Sequence, residues 1–150
     1  MPREEARRIA TQLTRSVNGP AWHGPSLKNA LQGVTAGLAA ARPLPNVHSI
    51  WEIAGHAAAW MRIVRLRVEG RGPKRITKAV NFPAPRRGTT QEWRGVLTQV
   101  KTEAARLART IRSIDDERLP YLSLHGIVQH TTYHAGQIVL LKKAAKGARP

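Results

Sequence analysis

Apolar residues recur every three or four positions along four long stretches of the chain, the spacing of helices that bury one face. The first stretch runs from Arg3 to about Val17. Asn18-Gly19-Pro20 then supplies a left-handed cap and a residue that cannot continue a helix. A second helix is expected after Pro45-Asn46. Ser49 or His48 stands at its N-cap, and Glu52, three residues past Ser49, completes a capping box. Ile53, Ala57, Trp60 and Val64 carry its inner face, and it ends near Glu69, before Gly70, Gly72 and Pro73. The third helix, Thr90 to about Ile114, reads Trp93, Val96, Val100, Ala104, Leu107, Ile111 and Ile114 on one side, then meets Asp115-Asp116-Glu117 and Pro120. The fourth spans about Leu122 to Ala145, with Ile127, Ile138 and Leu141 inward.

Between these helices lie two connections. Ala21 to Pro45 is rich in turn residues, with two short helical pieces expected around Ser26–Leu31 and Thr35–Ala41. Arg71 to Thr89 carries Pro83, Pro85 and Gly88 and reads as a basic loop without regular structure. No strand pattern and no internal repeat is present. The fold class is therefore all-α: a four-helix bundle forming one domain over residues 1–150, with a long connection between the first and second helices.

Composition narrows the chemistry. The chain has no cysteine, which excludes disulfides, thiolate metal sites and a cysteine nucleophile. No hydrolase triad, phosphate loop or pair of carboxylates can be assembled from it. The longest weakly polar run, Ile50 to Val64, is interrupted by Glu52, His56 and Arg62 and is shorter than the roughly 20 apolar residues of a membrane span. The opening MPREEARR lacks the apolar run of a secretory signal, so a cytoplasmic protein without membrane contact is expected. Twenty-five Lys and Arg against nine Asp and Glu give a net charge of +16. That surplus attracts polyanions at low salt. The cations are scattered rather than blocked together and aromatic residues are few, so weak, non-specific nucleic-acid binding is the expectation.

Histidine is the remaining candidate for chemistry. His130 and His134 form H-x-x-x-H, which on a helix places two imidazoles one turn apart on one face. Ile127 and Ile138 turn that face toward the core. Two imidazoles in an apolar interior are accounted for by a shared metal ion or by a hydrogen-bonded pair. His56 lies on or near the buried stripe of the second helix, among Ile53, Ala57 and Trp60. His48, about 12 Å from His56 along a helix axis, is too far to share its ligands and reads as a cap or surface residue. His125, one turn before Gln129, falls near the mouth of such a site. Gly136 interrupts good helix formers and calls for a close helix crossing. Tyr133 and the four tryptophans are expected to pack in the core or in a dimer contact.

Two segments carry a family resemblance: HSIWEIAGHAAAW, His48 to Trp60, and GIVQHTTYHAGQI, Gly126 to Ile138, with AWHGPSL, Ala21 to Leu27, in support. The chain resembles the DinB-like (damage-inducible) superfamily of four-helix-bundle proteins over nearly its whole length. The resemblance implies a divalent metal held by one histidine of the second helix and two of the last, here His56, His130 and His134. Zinc or nickel comes first, with iron or copper also suited to imidazole. Thr131 departs from the acidic residue that often follows the first histidine of the second motif, which removes a possible acceptor beside the ligands.

Three neutral ligands leave a coordination position open, the arrangement of catalytic zinc sites. Glu52 and Gln137, each one helical turn from a ligand, are the candidate catalytic residues, and Glu52 competes for that role with its place in the capping box. By resemblance, the activity is a metal-dependent transfer of a low-molecular-weight thiol of the bacillithiol or mycothiol type. The alternatives are a non-catalytic metal-binding stress-response protein and a basic nucleic-acid-associated protein. A homodimer is expected, because proteins of this kind commonly pair through helices.

Overall fold

The computed structural model describes residues 1–147. Four long helices dominate: α1 (Glu4–Asn18), α4 (Ile50–Val68), α6 (Thr90–Arg112) and α7 (Tyr121–Gly147). Three short helices, α2 (Leu27–Leu31), α3 (Ala36–Ala40) and α5 (Lys78–Asn81), and a 3-10 turn at Asp116–Arg118 complete the described residues, which contain no strand. The all-α class holds, and none of the described helices is long and apolar enough to cross a membrane.

Each long helix packs on two others. α1 touches α6 and α7, and α4 touches the same two. Consecutive long helices α1 and α4 therefore face each other across the bundle, and this explains the long connection between them. Within that connection α2 packs on α7 and α1, while α3 packs on α4 and α6. Ser26 and Thr35 cap the two short helices by accepting from the N–H of Asn29 and Leu38. The Trp93 indole N–H donates to the Val34 carbonyl at 2.8 Å, pinning the connection to α6.

The expected inner faces are buried. Trp93, Val100, Ala104, Leu107 and Ile111 of α6, and Ile127, Ile138 and Leu141 of α7, lie in one core with Trp51, Ile53 and Ala57 of α4. Val96, Ile114 and Trp60 are only partly buried at its edge. Of the remaining tryptophans, Trp22 is fully exposed rather than packed. A side chain added at Gly136 would meet nothing within 4 Å, so no helix crosses closely there, and nothing in the structure explains this glycine.

The N-terminus of α1 shows a cap the sequence pattern does not reveal. Arg3, at the N-cap, gives no side-chain capping bond. Asp116 of the 3-10 turn substitutes for it, accepting from the N–H of Ala6 at 2.9 Å and of Glu5 at 3.2 Å, while its own N–H donates to the Pro2 carbonyl. These N–H groups would otherwise lack partners at a helix start. The Ala6 N–H above all holds the Asp116 carboxyl below its ordinary pKa. A depressed carboxylate pKa contributes stability above the unfolded value, about 4, and that stability is lost as pH falls through the folded value. Asp116→Ala should accordingly lower Tm by several degrees at pH 7. The gap from wild type should close below about pH 4, as thermal melts across pH would show. A gap that persists unchanged at pH 2 would remove the carboxylate from the account.

Candidate metal centre

Helices α4 and α7 pack against each other and bring His56 of α4 to His130 and His134 of α7. The His56 Nε2 lies 2.9 Å from the His130 Nε2, and the His134 Nε2 lies 3.0 Å from the same atom. His56 and His134 are buried, and His130 is half-buried at the edge. The sequence places these three on inner faces because Ile53 and Ala57 flank one and Ile127, Ala135 and Ile138 flank the pair, all buried.

The outer nitrogens decide what the inner ones can do. The His56 Nδ1 is 2.6 Å from the Asn81 carbonyl oxygen, which only accepts, so this nitrogen carries the proton. The His134 Nδ1 likewise donates to the Gln137 Oε1 at 2.6 Å. Both Nε2 atoms are then unprotonated, and both face the His130 Nε2. A single N–H on that atom can serve only one of them and leaves the lone pair of the other, at hydrogen-bond distance, without a donor. A cation at the point of convergence satisfies all three. Zinc–imidazole bonds of about 2.0–2.1 Å set tetrahedral nitrogens about 3.3 Å apart, so small outward shifts accommodate the ion.

The electrostatics agree. Burial lowers the His56 pKa more than the Asn81 carbonyl raises it, and burial lowers that of His134 against the Gln137 bond. Burial, with His134 and His56 adding to it, lowers His130 to about 4. All three are neutral at pH 7, the state a metal requires. The His130 Nδ1 is buried without a partner, so this ring alone is not oriented by an outer hydrogen bond.

A family profile described as the DinB superfamily matches residues 22–138. The chain belongs to the DinB superfamily. No curated protein and no solved structure matches it. The matched span of this DinB protein includes all three histidines, and the group they form can hold a metal ion.

The other candidate residues separate. Gln137 is at the site: besides accepting from His134, its amide donates to the Tyr133 hydroxyl at 3.0 Å, giving that exposed tyrosine a polar link to His134. Glu52 lies outside the three-histidine group. One oxygen accepts from Arg42 at 2.5 Å, and the other accepts from the Ser49 N–H and meets the His48 ring, each at 3.0 Å. Ser49 and Glu52 form the expected capping box. Burial would raise the Glu52 pKa, but these partners together hold it below its usual value. His48 is not the cap but an exposed surface residue, as the alternative had it, and it stacks on Phe82, ring centroids 3.7 Å apart. His125 is not at the mouth of the site. Its ring packs on Tyr121, and its Nε2 lies 3.7 Å from Glu5 of α1.

Residues 77–83 are a segment at the histidine group that periodicity does not single out. The basic loop is not structureless: Thr77 caps α5, and α5 ends at the residue whose carbonyl holds His56. The available signal was the helix-capping Thr77 ahead of Lys78-Ala79-Val80, too short a run to stand out from a loop.

Proposed function

We propose that the protein holds one divalent metal ion on His56, His130 and His134 and uses it to activate a small thiol for transfer to an electrophile. The observation that carries this is the convergence of three neutral Nε2 atoms on one point, with two rings locked from behind. When bound, a divalent ion supplies the Lewis acidity that makes a thiol or water anionic at neutral pH. The chain's own work is positional. Asn81 fixes His56, Gln137 fixes His134, and the half-buried His130 beside the exposed Tyr133 marks the side from which substrate would approach. In the transfer, the thiol proton passes to solvent, a carbon–sulfur bond forms, and the bond to the leaving group breaks. The net charge of +16 favours an anionic thiol.

Glu52 is assigned to structure in this reading, because both of its oxygens are already engaged. Elemental analysis of the purified protein should find one zinc or nickel per chain. Thiol transfer to a chromogenic electrophile should depend on that metal and should survive Glu52→Gln, since glutamine also serves a capping box. Metal at stoichiometry with no thiol dependence would leave a metal-binding protein of another activity. Transfer abolished by Glu52→Gln, with metal and helix content intact, would move Glu52 into the chemistry.

A further inference from the structure

We infer that Asn81 and Phe82 are positioning residues for the metal ligand His56, and that Gly55 exists to let them reach it. The inference rests on the metal reading above and extends it to a segment outside both histidine motifs.

Contacts from three consecutive residues converge on α4 around His56. The Asn81 carbonyl accepts from the His56 Nδ1–H, and the Asn81 side-chain oxygen accepts from the Trp60 indole N–H at 2.8 Å. Phe82 lies flat on the His56 ring, centroids 4.0 Å apart and planes 2° from parallel, and His48 covers its other face. Pro83 sits against Gly55: a side chain on Gly55 would come within 2.6 Å of the Pro83 Cγ. That is closer than packed carbons tolerate, and a proline ring cannot swing aside.

The segment is not there to complete the core. No residue of α5 is buried, and Asn81, Phe82 and Pro83 are each only half-buried. What it does contact is Gly55, His56 and Trp60 of α4, and His48. The hydrogen bond selects the tautomer with the Nε2 lone pair free, and the stacked ring blocks rotation of the imidazole about its bond to Cβ. Outer partners that fix tautomer and orientation typically change metal affinity by about 10–100-fold when removed.

Two variants test this by different routes. Phe82→Ala removes the stack. Gly55→Ala leaves every contacting side chain in place and favours the helix, yet pushes the segment off. Zinc affinity, measured by competition with a chromophoric chelator, should weaken about 10–100-fold in both. Phe82→Tyr should restore it, and circular dichroism should show unchanged helix content in all three. Nitrogen NMR of the metal-free protein gives a second readout. Wild type should show His56 protonated at Nδ1 alone, and Gly55→Ala, which displaces the Asn81 carbonyl, should show mixed tautomers. Zinc bound within about twofold of wild type by both variants, with the His56 tautomer unchanged, overturns the proposal. Wild-type protein that keeps a single His56 tautomer but binds no zinc overturns the metal reading instead and leaves the positioning of the ring standing.

Discussion

His130→Ala should strip the protein of its metal while leaving the fold nearly as stable as before. The Nε2 of His130 is the shared vertex of the group, 2.9 Å from one partner nitrogen and 3.0 Å from the other. Without it the other two nitrogens have no common neighbour. The affinity loss should exceed the roughly 10–100-fold typical of outer partners, because a ligand itself is gone. The stability cost should be small for two reasons. The ring is half-buried, and its Nδ1 has no hydrogen-bond partner. Elemental analysis and the melting temperature of the metal-free protein separate the two effects. Stoichiometric metal in the variant would overturn the three-histidine assignment. His56→Ala is the less clean experiment, since it also frees the Asn81 segment.

The parts of this molecule that follow from local periodicity were legible in its sequence. The α6 face from Trp93 to Ile111 and the Ser49–Glu52 capping box rest on contacts within three or four residues, and the structure has them as read. The histidine pair of α7 was legible for the same reason. His56 could be placed on an inner face by periodicity, but its meeting with the pair depends on the packing of α4 on α7, which only the family resemblance supplied. What stayed hidden involves partners far apart in the chain and of ordinary type. Asp116 caps a helix more than a hundred residues away, and a backbone carbonyl at Asn81 holds the His56 ring 25 positions earlier. Glu103, on the apolar side of α6, is buried because Arg65 of α4 reaches it at 3.3 Å, a pairing that no pattern within either helix announces. Gly55 stands inside α4, where periodicity assigns a glycine no role. Its meaning appears only when Pro83 is set against it.

Trp51→Ala should produce the largest stability loss of any single change considered, and bound metal should offset part of it. Trp51 is 1% exposed, directly after the first residue of α4, with its ring 5.2 Å from that of Trp93. Trp93 in turn holds the Val34 carbonyl, so the pair joins α4, α6 and the connection between α1 and α4. Truncating a buried tryptophan to alanine costs about 3–5 kcal/mol, from lost transfer energy and the cavity left behind. Against the roughly 5–15 kcal/mol of a typical domain, that is a lowering of Tm by about 10 °C. An ion that binds only the folded state returns stability as its concentration exceeds Kd, about 4 kcal/mol at a thousandfold excess. Zinc should therefore raise the Tm of Trp51→Ala about as much as it raises that of wild type. The double variant Trp51→Ala with His130→Ala should gain nothing from zinc. The comparison isolates the site from the core, because the tryptophan contacts none of the three histidines through a ring or a hydrogen bond. Equal zinc stabilisation in the double variant would mean that the ion acts somewhere other than the junction of α4 and α7.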